Sequence, residues 1–168
     1  EQFIINQNDS KKIIAGWHWF SSWGRDSFIA LPGLCLTTGN FSNARAIFQT
    51  SIAEMKNGMI PNTENGQNHF NSVDASLWFI WAIQKYAYAT GELEEVWGNY
   101  GNAIKEILEN YKSGNLKLIK MSKEGLIVAG NSKTALTWMD AMVFGVPVTP
   151  RWGMPVEVNA LWYNAVCF

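Results

Sequence analysis

Cysteine and histidine are scarce in this chain, two of each among 168 residues. Cys35 and Cys167 each lie in an apolar run with no CxxC or Cys/His spacing. That excludes a disulfide scaffold and leaves no signature of a metal or redox centre. His18 and His69 stand far apart with no acid–His–nucleophile pattern around them, so His69 is expected to be a loop hydrogen-bonder rather than a base. Charge is sparse as well. Thirteen Lys and Arg face fourteen Asp and Glu, a net charge of −1, which excludes the basic face a nucleic-acid partner demands. No apolar run reaches about 18 residues, so no membrane span is expected. Glu1 to Ser10 lacks the basic and apolar regions of a secretory signal, and a cytoplasmic location is expected. No Gly-rich phosphate loop, HExxH or EF-hand loop is present, so no cofactor or metal is expected.

What is present is a hydrophobic content of 48%, enough for one well-buried domain. Glycine and asparagine punctuate a series of helical patterns. The first spans about 26–38, with Pro32 expected to kink it. The second spans about 42–56, with Ala44, Ile47, Phe48, Ile52 and Met55 at three- and four-residue spacing. A third over 72–89 is apolar around most of its circumference, and Trp78 and Trp81 on it are expected to be core. A fourth over 93–112 carries one stripe of Val96, Tyr100, Ile104, Ile107, Leu108 and Tyr111. Residues 116–130 read as short strands and 131–155 as an irregular stretch. A fifth helix opens at Pro155 and continues to Phe168 without a stop signal, as in a piece of a longer protein. Buried and amphipathic helices thus alternate. That suits either an α/α toroid of inner and outer helices or an ordinary bundle.

An acidic residue stands near the start of each helix expected to be inner: Asp26 beside Arg25, Asp74, and Glu157. In an up-and-down ring these starts share one rim. Each acid alone is readily explained as a helix cap, worth about 0.3–1 kcal/mol, and Arg25–Asp26 as a surface ion pair. The approaches Trp17–Gly24 and Asn62–Asn71 are rich in aromatics, Asn and Gly, which stack on sugar faces and bond hydroxyls. Trp17, Trp19, Trp23, Trp138 and Trp152 are the candidate platforms. Asp140, beside Trp138 and methionines, is the sharpest single candidate. Desolvation there should raise its pKa toward that of a general acid; capping a turn or pairing with Arg151 is the competing role.

The blocks Ala15-Gly16-Trp17-His18-Trp19-Phe20, Trp23-Gly24-Arg25-Asp26-Ser27, Gly58-Met59-Ile60-Pro61-Asn62, Asn71-Ser72-Val73-Asp74-Ala75-Ser76-Leu77-Trp78, Leu136-Thr137-Trp138-Met139-Asp140-Ala141, Thr149-Pro150-Arg151 and Pro155-Val156-Glu157-Val158-Asn159-Ala160-Leu161-Trp162 resemble the amylo-α-1,6-glucosidase domain of glycogen-debranching enzymes, closer to the shorter bacterial and archaeal type. The resemblance covers nearly the whole chain, in order. It implies an all-α fold, an (α/α)6 toroid present here in part over residues 1–168, with a short β-hairpin insertion. It implies hydrolysis with inversion of α-1,6 branch linkages in glycogen or another branched α-glucan, with no cofactor. Asp140 matches the general acid. Arg25 and Asp26 look like the pair that holds the non-reducing glucose in related glucoamylases, and Asp74 and Glu157 fall at pocket positions. Trp23, Trp138 and Arg151 are expected beside them. The family's base, a Glu near the domain's end, is expected beyond Phe168, so residues 1–168 alone should not turn over substrate. A trehalase-like or oligosaccharide glucosidase, and a non-catalytic glucan-binding toroid, are the alternatives.

Overall fold

The computed structural model describes residues 2–7, 10–63 and 70–168. Among them are five α-helices: α1 (Gly24–Leu31), α2 (Phe41–Glu54), α3 (Ala75–Thr90), α4 (Leu93–Ser113) and α5 (Val156–Cys167). Three antiparallel hairpins accompany them, β1 (Ile4–Gln7) with β2 (Ser10–Ile13), β3 (Ile119–Met121) with β4 (Ile127–Ala129), and β5 (Met142–Val143) with β6 (Val146–Pro147). Only the second falls where strands are expected from the sequence.

Every expected helix is present, with its ends moved for identifiable reasons. Pro32 has no N–H to give to the helical ladder. The first helix therefore passes into a π-helical turn over Pro32–Leu36, where the Thr37 N–H reaches back five residues to the Pro32 carbonyl at 2.9 Å. α3 begins at Ala75 rather than Ser72 because the Ser72 hydroxyl accepts the Ala75 N–H at 3.1 Å, capping the helix from outside it. Gly91 and Gly114, in the left-handed region at φ 73° and 70°, terminate α3 and α4.

α3 is the central element and packs against α1, α2, α4 and α5. Leu77, Phe79, Ile80, Ala82 and Ile83 are fully buried, as its all-round apolar pattern requires. Trp78 and Trp81 pack against the core, as expected, without being enclosed by it. They are half-buried and meet edge to face at 5.2 Å. α2 and α4 bury one face each. Phe48 of α2 meets Phe79, Tyr86 and Tyr100 edge to face, at 5.8, 5.8 and 5.3 Å, contacts worth about 0.5–1.5 kcal/mol each beyond area burial.

Tyr111 of α4 joins this core to the segment ahead of α3. Its hydroxyl donates to the Val73 carbonyl at 2.8 Å, and its ring stacks on Trp162 of α5 at 6.1 Å. Burial raises its pKa far above the phenol's ordinary 10.0, so it donates as the neutral phenol. The residue next to Val73 is Asp74. This hydrogen bond ties α4 to the residue before Asp74.

Candidate active site

The start of α1 is pressed against the strand-like segment Pro61–Asn62. Gly24 donates to the Asn62 carbonyl at 3.1 Å, and a Cβ on Gly24 would come 2.5 Å from the Pro61 carbonyl oxygen. Only glycine allows that approach. The Arg25 N–H then donates to Asn62 Oδ1 at 3.2 Å, so the backbone around Arg25 is fixed on both sides.

Arg25 is buried, and its side chain turns inward. Its Nε and Nη2 donate to Asp74 Oδ2 and Oδ1 at 2.9 and 3.0 Å, a bidentate pair between the first turn of α1 and the residue before α3. Nη2 also reaches Ser72 Oγ at 3.4 Å, and the Ser72 hydroxyl donates to Asp74 Oδ1 in a short bond. Asp74 is therefore no cap. Ser72 does the capping and leaves the Asp74 carboxylate to the guanidinium. Burial opposes the charge on Arg25, but the hydrogen bonds it donates to Asp74 and Asp140, with the negative charge of those carboxylates, outweigh it and raise its pKa.

The irregular stretch before α5 is tied down at three places. Ala129 and Gly153 exchange hydrogen bonds at 2.8 and 2.9 Å, Ala135 bridges Arg151, and the Val73 N–H donates to the Leu136 carbonyl at 2.9 Å. The last of these brings the Thr137–Asp140 turn over the start of α3. Arg25 Nη1 donates to Asp140 Oδ2 at 3.0 Å, across 115 residues of chain. Asp140 thus pairs with Arg25, not with Arg151, and neither caps a turn nor sits in a purely apolar box. Its side chain keeps 21% exposure.

Arg151 pairs instead with Glu157 in the first turn of α5, Nη2 to Oε2 at 2.9 Å and Nη1 to Oε1 in a shorter bond. Burial would raise the Glu157 pKa, but Arg151 overrides it and the net shift is downward. The Asp74 carboxylate contributes to raising the Arg151 pKa, so the two pairs are electrostatic neighbours. Asp26 reaches the surface beside them. Crowding by protein raises its carboxyl above the ordinary 3.8 despite the opposing charge of Arg25, and Asp140 and Asp74 push the same way.

Arg25, Asp26, Asp74 and Asp140 are thus one cluster at the starts of α1 and α3, with the Arg151–Glu157 pair beside it at the start of α5. The aromatics divide. Trp23 is half-buried and immediately precedes the cluster, whereas Trp138 and Trp152 are each 55% exposed on the loop. His18 stands edge-on between Trp17 and Trp19 at 5.7 and 4.8 Å, and Trp19 is 75% exposed. His69 and most of the Asn62–Asn71 approach lie outside the described residues. A cavity of about 390 Å3 lies elsewhere, between β2, α1 and α2, lined by Lys11, Lys12, Lys56 and Glu54 but by none of the clustered acids.

Two contributors escape reading from sequence, Ser72 and Asn62. Ser72 stands three residues before Ala75, the spacing of a cap to the N–H it accepts; the acid between them attracts that assignment instead. Asn62 carries no local signal.

A sequence model described as amylo-alpha-1,6-glucosidase matches residues 1–168. The chain belongs to that family. The glycogen debranching enzyme of Saccharomyces cerevisiae is 29% identical to it over 202 residues. That match takes in 87% of the chain but only 13% of the yeast enzyme, so the chain spans a small part of its relative's length.

Proposed function

We propose that these residues are the acid-bearing part of an α-1,6-glucosidase that removes branch glucose from glycogen or a limit dextrin. The observation that carries the reading is the junction of Arg25 with Asp74 and Asp140. Three segments remote in sequence meet there in charged hydrogen bonds, at the end of the helices where aromatic side chains are exposed. Family membership supports the same chemistry.

In this reading Asp140 protonates the glycosidic oxygen as the C1–O bond breaks and its electron pair stays with the leaving sugar. Water adds to C1 from the opposite face and gives its proton to a second carboxylate, which inverts the anomeric configuration. That carboxylate must stand roughly 6.5–9.5 Å from the acid to admit the water. Asp74 and Glu157 are each held by a bidentate arginine, and the resemblance to glycogen-debranching enzymes gives the base's role to a Glu near the end of the family's domain. Asp26, Trp23, Trp138 and the Arg151–Glu157 pair face the sugar. α1, α3 and α5 are inner helices of an (α/α)6 toroid, with α2 and α4 outside them.

The test is glucose release from a branched limit dextrin by the intact protein beside its Asp140→Asn variant. Removal of a general acid costs about 10²–10⁴-fold in rate, and the first glucose released should be the β-anomer. A folded Asp140→Asn variant with near-normal release would sink the assignment.

A further inference from the structure

The Arg25 guanidinium is almost fully engaged inside the protein. Of the five N–H groups a guanidinium carries, one from Nε and one from Nη2 go to Asp74, the other from Nη2 goes to Ser72, and one from Nη1 goes to Asp140. A single Nη1 N–H is left for anything else. The fork cannot turn without breaking both bonds to Asp74, which is 1% exposed and has no water to replace them.

Asp140 is in the opposite situation. It stands on an irregular loop, and a carboxylate's terminal torsion is broad, so its backbone does not decide where the two oxygens point. The bond from Arg25 Nη1 to Oδ2 decides it. Oδ1 carries no hydrogen bond among the described residues. We infer that Arg25 is a positioning residue for the proton donor, a rigid splint anchored on Asp74 and Ser72 that pins Oδ2 of Asp140 and presents Oδ1 to the glycosidic oxygen. This rests on the reading of Asp140 as the general acid.

The arrangement works in both states of the reaction. In the acid form that proton transfer requires, the proton is on Oδ1 and Oδ2 accepts from Arg25 as a carbonyl oxygen. When the proton moves to the leaving oxygen, Asp140 is left as a carboxylate, and the bond from the guanidinium, charged on one side until then, becomes one between two opposite charges. Such a contact grows in the direction of the transition state, so it lowers the barrier rather than tightening substrate binding.

Two substrates separate this role from a sugar contact. In a branched dextrin the leaving sugar needs a proton, whereas α-glucosyl fluoride releases fluoride with little help from an acid. In the intact protein, Arg25→Lys keeps one donor and loses the fork. It should lower kcat on dextrin by about 10²-fold, the lower range of a general acid's contribution, with KM and fluoride hydrolysis little changed. Should Arg25→Lys fold poorly, the pair variant Arg25→Met with Asp74→Leu removes both buried charges together, a replacement cores commonly tolerate. It should show the same selective loss.

Parallel loss on both substrates, a rise in KM at constant kcat, or full dextrin activity in either folded variant would overturn the positioning role. Asp140→Asn serves as the control. If it loses fluoride hydrolysis as severely as dextrin hydrolysis, the assignment of Asp140 as the acid fails, whatever Arg25 does.

Discussion

Two arginine–carboxylate pairs stand side by side at the helix starts, and they are built differently. Arg25 and Asp74 expose 9% and 2% of their side chains; Arg151 and Glu157 expose 26% and 29%. The first joins two helices and is enclosed. The second closes a local loop, six residues apart, at the rim. A buried pair has lost its hydration and holds its geometry because each partner is the other's main source of compensation. A rim pair can exchange its partner for water at little cost. The contrast assigns them different tasks: the enclosed pair sets positions, and the exposed pair can reorganise around a ligand.

The largest effect should come from removing one member of the enclosed pair. Arg25→Leu leaves the Asp74 carboxylate buried without its counter-charge, and about 3–5 kcal/mol should be lost in a urea melt of the intact protein. A loss no larger than that of Arg151→Ala would erase the distinction between the pairs. Next comes the contact that keeps Arg25 enclosed. Gly24→Ala puts a Cβ against the Pro61 carbonyl, an overpacking that costs about 1–3 kcal/mol; an unchanged melting temperature would show that the backbone there can give way.

The rim pair should matter less. Arg151→Ala is expected to cost about 0–1 kcal/mol, and to cost less as salt is added. The smallest effects are in pH dependence, and they have opposite signs. Glu157 is lowered below 4.5, so its contribution is present above that pH and is lost as the pH falls through the lower folded value. Asp26 is raised above 3.8, so it favours the folded state below that pH, and the advantage is lost as the pH rises through its folded value. Acid titration of stability in Glu157→Gln and Asp26→Asn should therefore flatten the wild-type curve in opposite directions. Shifts of the same sign would refute the assignment of charges at the rim.

Much of this was legible along the chain. Periodicity together with glycine, asparagine and proline punctuation located the five helices, and acids at the starts of the buried ones pointed to the polar rim. Pattern also separated the enclosed α3 from the half-exposed α2 and α4. The misplaced ends have local chemical causes, a proline without its N–H at 32 and a serine cap at 72. Trp78 and Trp81 pack on the core yet stay half-buried, because an apolar helix does not reveal which of its faces is left partly uncovered.

The amino-acid order by itself determined which residues are charged at the helix starts, since a carboxylate or guanidinium in the first turn of an apolar helix can only stay at its polar end. It also determined membership of the glucosidase family, through blocks spread along the whole chain. Only the tertiary structure decided the partners: that Asp74 serves Arg25 and not its own helix, and that Arg25 holds Asp140 while Arg151 holds Glu157. Bidentate pairing depends on angles and distances of a few tenths of an ångström. Those are set by how close Gly24 comes to Pro61 and where Tyr111 draws Val73, contacts between segments that no local pattern encodes.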